Sequence, residues 1–444
     1  MKHKRTQLVE NLADKDVLIW GARMTGLGAL RLLRQLGVRV VGFIDSDDAF
    51  KGKVVNGLRV LHPSELKEFV IGKTSLALLI AVSLKEQEIL SILAEMGVDN
   101  LPVLSFQDPD MPYYTVDILS SCNLRCASCP HSIEDHAVPK GSMSLDTFKQ
   151  VFDKILNDSP DITHLSLYSW GEPLLHPHVD EIVRYVHEHG VAVALSSNLS
   201  IKFDQRIERL LEQSPDYLKV SLSGYYPDAY NNTHQGGDIN LVKSNLYRIR
   251  YLLDKLNSKT LVDINYHLYR DNSGENLNKF MALADELGFV LSKSHALVMP
   301  LERVLNFKND KADFQTLELQ KNLLVTIDEG IAASTKTRLD QDTCPFRENQ
   351  ININADLTVP VCCTVFERGV NVVAENFLET TLQQISTAKS KVTTCTKCME
   401  LGLPEYNMGF NQTGWKEYAK QKTLVDIGNR SSTRPKQNFR ISRE

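Results

Sequence analysis

Between residues 113 and 298, strand-like and helix-like runs alternate about six times, and no other feature limits the fold as strongly. The strand candidates are YYTVDIL (113–119), THLSLYS (163–169), VAVALS (191–196), YLKVSLS (217–223), LVDINYHLY (261–269) and FVLSKSHALV (289–298). Helical patterns lie between them, for example SLDTFKQVFDKILN (144–157) and NLNKFMALADELG (276–288), the second ending in a glycine stop. Repeated βα units build a parallel barrel or sheet, with functional residues at the strand C-termini. The expected fold class is therefore α/β.

A smaller α/β pattern precedes this region. DVLIWGA (16–22), VRVVGFIDSD (38–47) and SLALLIAV (75–82) read as strands, and Leu30, Leu33 and Leu36 recur at helical spacing after the first. Gly21, Gly26 and Gly28 sit between the first strand and that helix, and Asp45 follows about 20 residues later, as in a dinucleotide-binding turn. The spacing is G-x4-G-x-G rather than G-x-G-x-x-G, so a nucleotide site and a docking or regulatory module both remain open.

The net charge of −5 gives no reason to expect nucleic acid or an anionic membrane as a partner. No apolar run approaches the roughly 20 residues of a membrane helix, and no signal-peptide pattern follows the basic start. A cytoplasmic location is expected. Disulfides are not expected there, and clustered cysteines in such a compartment bind metal or do redox chemistry. None of the eight cysteines lies before position 122; three fall at 122–129 and five at 344–398.

SCNLRCASCP places Cys122, Cys126 and Cys129 within eight residues, directly after a strand. Soft thiolates at that spacing favour an iron–sulfur cluster or zinc. Three thiolates on a four-iron cube leave one iron open to chelate a ligand. A structural zinc site takes four donors; no fourth cysteine lies near, though His131 could serve.

CxxxCxxC after the first strand of such a barrel resembles the radical S-adenosylmethionine (SAM) superfamily. LYSWGEPLLHP (167–177) is similar to the family's GGEP motif, with Trp170 in place of the first glycine. SSNLS (196–200) is similar to the TNG turn, with Leu199 in place of glycine, and VSLSG (220–224) to the strand-four serine segment. The resemblance implies a partial (βα)6 TIM-type barrel and a 4Fe–4S cluster on Cys122, Cys126 and Cys129. It also implies SAM held near Gly171, Glu172, Asn198, Ser221 and Ser223. An electron donor such as flavodoxin or ferredoxin would feed the cluster, and reductive cleavage would yield a 5′-deoxyadenosyl radical.

In the second group, CPFRENQININADLTVPVCC (344–363) reads as Cys344, a β-hairpin and then Cys362 and Cys363; CTKC adds Cys395 and Cys398. One cysteine from each of the first two places, plus the CTKC pair, gives four thiolates, enough to complete a cluster suited to electron transfer. Zn-S4 fits the same donors. The hairpin register favours Cys362 over Cys363 as the ligand, leaving Cys363 a buried spectator or a hydrogen-atom donor. The segment resembles the twitch domain, the half-sized relative of the SPASM domain, which implies one auxiliary 4Fe–4S cluster on Cys344, Cys362, Cys395 and Cys398. Leu357 stands where many relatives have glycine.

The expected organisation is a Rossmann-like α/β domain at 1–107, a radical SAM core at 108–305, a small twitch/SPASM-type domain at 340–402 and a disordered tail at 420–444. The first expected activity is oxidation of a carbohydrate or cyclitol. Alternatives are a peptide-modifying enzyme (crosslinking or epimerising), a sugar epimerase using Cys363, and a non-catalytic zinc-binding scaffold.

Overall fold

The computed structural model describes residues 8, 10–82, 86–98, 101–106, 111–132, 141–336, 344–408 and 418–423. Of the expected tail, residues 424–444 lie outside them. Among the described residues no helix is long and apolar enough to cross a membrane.

The N-terminal sheet contains β1 (Asp16–Trp20), β2 (Val40–Ile44), β3 (Val54–Val55), β4 (Leu58–Leu61), β5 (Leu76–Ile80) and β6 (Val103–Ser105). Its order is β3-β4-β2-β1-β5-β6. All neighbours are parallel except the short β3–β4 pair. The chain turns back beside β1, as in a doubly wound α/β sheet.

The second sheet is larger. Strands β7 (Tyr113–Val116), β8 (His164–Ser166), β9 (Ala192–Ser197), β10 (Tyr217–Leu222), β11 (Leu261–Leu268) and β12 (Val290–His295) lie side by side in chain order and parallel. This is the expected run of six βα units. Alternation along the strands sends Val116, Leu165, Val193, Leu218, Val220 and Ile264 into an apolar core against the helices. Thr115, Ser166, Ser196, Ser221, Asn265 and His267 remain half-buried on the opposite, lumen face.

A seventh strand, β13 (Gln350–Ile353), pairs parallel with β7 at the open edge. The expected hairpin at 344–363 is thus realised only in its turn, where Leu357 N donates to Asn354 O. One arm extends the barrel sheet, and the other, β14 (Val359–Pro360), pairs antiparallel with β15 (Val372–Ala374).

The glycine-rich turn after β1 is engaged in docking. Helix Met24–Gln35 leans on the lower, N-terminal end of the barrel strands, and a Cβ on Gly28 would lie 2.9 Å from Thr163 O of the barrel. Arg23 donates to Asp47 (2.6 Å), to Ser292 (2.8 Å) and to Asp263 (3.3 Å), and Tyr217 and Ser292 close on the same Asp263. Asp45 accepts from Ala22 N at 3.0 Å. Tyr217, Leu261 and Val290 of the barrel share one apolar cluster with Val17, Leu27 and Phe43. Of the three glycines Gly28 meets the barrel, while Gly21 packs against Ala81 and Gly26 against Gly21 within their own sheet unit.

Candidate metal centre

Asp117 directly follows β7; its carboxyl is buried and pushed up to about 7 by that burial, while backbone N–H groups of Gly171, Ser169 and Leu119 hold it from the other side. The chain then passes through 118–121 into the cysteine loop. Arg125 N donates to Gln235 O (2.9 Å), Ala127 N to Thr233 O (3.0 Å) and Cys129 N to Cys126 O (2.9 Å). Arg303 Nη1 donates to Ala127 O at 2.9 Å. The loop is therefore clamped from the strand-four side and from the helix Leu301–Lys308.

Burial pushes all three thiols up, Cys129 to about 12, and the neighbouring cysteines add to the effect at Cys126 and Cys129. Binding a metal core to such a set releases protons. Cys122 Sγ already receives N–H groups from Leu124 (3.4 Å) and from Asn198 Nδ2 (3.6 Å), contacts that suit a thiolate ligand. His131, the fourth donor considered for zinc, has its Nε2 on Trp170 O at 3.0 Å. Among the described residues no three His, Cys, Asp or Glu side chains converge as tightly as a single ion needs. A four-iron cube takes its thiolates further apart.

The motif residues gather around this loop in different ways. Gly171 lies so close under Leu119 that a Cβ would fall 1.5 Å from its carbonyl oxygen. Glu172 is 2% exposed, and its two oxygens accept from Leu174 N (3.1 Å) and Asn198 N (2.8 Å). Burial pushes it up to about 7. Asn198 bonds Asn123 Oδ1 at 3.0 Å, and the next residue, Leu199, adopts φ 54°, the conformation that glycine favours. Ser221 lies on the lumen face, 3.3 Å from Ser196 Oγ. Ser223 is fully buried against Thr233 and His234, and so steadies the loop whose carbonyls hold Arg125 and Ala127.

The five later cysteines separate onto two cavities. Cys344, Cys362, Cys395 and Cys398 line one small, narrow cavity. Cys363 lines another of about 1000 Å³, including its mouth, along the lumen face of β7 and β8 with Thr115, His164, Ser166, Tyr168 and Trp170. Trp170 packs edge-on to Phe366, at 5.9 Å and 86°.

Sequence reasoning missed Asp117 and Arg303. An aspartate following an apolar strand is a signal for the first. Arg303 sits in an ordinary helical pattern that carries none.

Residues 116–265 match the family model described as Radical SAM superfamily, so the chain carries a radical SAM domain. Residues 13–104 match the model described as C2185-like, N-terminal. An AdoMet-dependent heme synthase from Methanosarcina barkeri is 30% identical over 116 residues, 26% of this chain and 32% of that one. The tungsten-containing aldehyde ferredoxin oxidoreductase cofactor-modifying protein of Pyrococcus furiosus is 31% identical over 122 residues, 27% of this chain and 33% of its own. The chain thus spans about a third of the length of these curated relatives. A crystal structure of BtrN in complex with AdoMet and 2-DOIA shares 15% identity over 66% of this chain and 88% of that one, with a TM-score of 0.38. The family implies SAM and a 4Fe–4S cluster.

Proposed function

We propose that the protein cleaves SAM reductively at a cluster on Cys122, Cys126 and Cys129, and uses the radical to oxidise a neutral, hydroxyl-bearing substrate of carbohydrate or cyclitol type. The observation that carries this reading is the clamped three-thiol loop above β7, standing apart from a second cavity lined by four thiols. Cys122, Cys126 and Cys129 would hold a cluster able to supply the electron for S–C5′ cleavage, and Cys344, Cys362, Cys395 and Cys398 would hold an auxiliary cluster able to accept the electron left on the substrate.

The chain's own residues would do the rest. Gly171 permits the close approach of two backbone strands beside the loop, Glu172 and Asn198 fix the motif turns to each other, and Ser221 and Ser196 offer hydroxyls to the sulfonium ligand. The substrate class is argued from the larger cleft. Among the described residues its lining holds no Asp, Glu, Lys or Arg, and burial pushes His164 down to about 4, so that imidazole is neutral near pH 7. Gln350 Oε1 and both polar side-chain atoms of Asn352 are buried on the same face without partners, which asks for a polar ligand.

Anaerobic reconstitution tests the reading. The expected result is about eight irons per chain and dithionite-dependent 5′-deoxyadenosine, lost when Cys122, Cys126 and Cys129 become alanine. A colourless zinc protein that leaves SAM intact would overturn it.

A second reading is favoured by Cys363, whose thiol faces the larger cleft. It could return a hydrogen atom to the substrate carbon and so invert it. Under that reading C363A abolishes inversion but keeps 5′-deoxyadenosine formation, and wild-type product formed in D2O carries deuterium. Under the oxidation reading C363A still forms the ketone.

A further inference from the structure

Gln350 opens β13, the strand that the segment between Cys344 and Cys362 adds to the barrel sheet. Ile351 and Ile353 enter the apolar core, so Gln350 and Asn352 face the other way, along the lumen. Gln350 lines the larger cleft beside Cys363, Thr115 and Ser166. Its backbone O is pinned by Nζ of Lys389, which is 2% exposed. Its side chain bonds the Cys363 thiol, and because Oε1 is buried without a partner, that contact runs through the amide N–H group. What remains at the cleft wall is an acceptor with no donor, which calls for a ligand that donates. Asn352 stands in register with Thr115, and Thr115 with Ser166. An amide and two hydroxyls thus run across three strands spaced about 4.8 Å apart.

We propose that Gln350 selects the substrate, accepting a hydrogen bond from one of its hydroxyl groups and rejecting rings that present a carbonyl or ether oxygen there. The inference rests on the hydroxyl-bearing substrate class above and says which side chain reads it. A carbonyl or alkylated oxygen has no proton to give, so it leaves Oε1 unpaired. A hydroxyl can donate to Oε1 and still accept from Thr115 or Ser166 in the neighbouring strands. The choice of substrate is therefore made by a residue of the second cysteine segment.

The test uses the full chain, reconstituted anaerobically and loaded with SAM but given no reductant, so that nothing turns over. Calorimetric titration with myo-inositol and with D-glucose compares wild type with Q350M, which keeps the length of the side chain and lacks the acceptor. The expected result is binding about tenfold weaker in Q350M. Hexa-O-methyl-myo-inositol, which has no O–H to give, should not distinguish the two chains. Equal affinity of both chains for the hydroxylated probes, or a wild-type advantage that persists with the methylated one, overturns the role of Gln350 and leaves the substrate class standing. A wild-type chain that binds neither hydroxylated probe overturns both. A second measurement needs no ligand. Apo Q350M should melt at or above the wild-type temperature, because the acceptor removed had no partner; a lower melting temperature makes Gln350 a structural residue and overturns the proposal.

Discussion

Glu302 shows how one buried side chain makes stability depend on pH. Its Oε1 accepts from Phe366 N, Glu367 N and Asn371 Nδ2, while Oε2 is buried without a partner. Burial pushes the carboxyl up to about 7. In the unfolded chain a glutamate titrates near 4.3. Between those values the folded state binds the extra proton, so stability falls as pH rises from about 4 to 7 and is level above. Asp117 and Glu172, also raised to about 7, slope the same way. E302Q keeps the Oε1 acceptor and should flatten the decline by on the order of 2 kcal/mol, read from thermal melts between pH 5 and 8. Gly171 gives a sharper case. G171A should destabilise by at least ~2 kcal/mol and lower SAM affinity, because the clash is with backbone rather than a movable side chain. Much at this scale was legible in the sequence: Leu199 and Leu357 stand at family glycine positions, and both adopt positive φ, 54° and 71°. What was not legible is the direction in which a serine points. Ser221 and Ser223 share a face by alternation, yet Ser223 lies past the end of β10 and turns into the Thr233–His234 contact.

At the scale of elements, the strands and helices of the barrel were readable because their apolar periods are long and clean. The partners of β13 were not, since QINI reads the same whether it pairs with the next strand or with one more than 230 positions earlier. The glycine turn at 21–28 was ambiguous for a related reason. Close backbone approach calls for glycine whether the neighbour is a phosphate or another domain, and here Gly28 meets Thr163. G28V should therefore push helix Met24–Gln35 off the barrel. We expect unfolding to split into two transitions, and limited proteolysis to release the N-terminal part at a lower temperature than in wild type. Retention of one cooperative transition would count against the docking role.

On the scale of the whole molecule, three consecutive residues join the two cysteine sets. Leu301 N donates to Thr364 O (2.7 Å), Glu302 holds Phe366 and Glu367, and Arg303 reaches Ala127 between Cys126 and Cys129. Thr364 in turn meets Cys362 Sγ at 3.1 Å. R303M should loosen the first loop without disturbing the second site. Iron content should fall from about eight toward about four per chain, with the C344A/C362A/C395A/C398A chain retaining the complementary half.

The pairing of β7 with β13 also bears on how the chain comes off the ribosome. β7 is made early, but its outer neighbour emerges only after residue 353, so a nascent or truncated chain carries a bare row of amide and carbonyl groups through most of synthesis. A fragment ending before residue 350 should self-associate through that row, visible as concentration-dependent sedimentation, while the full-length chain stays dispersed.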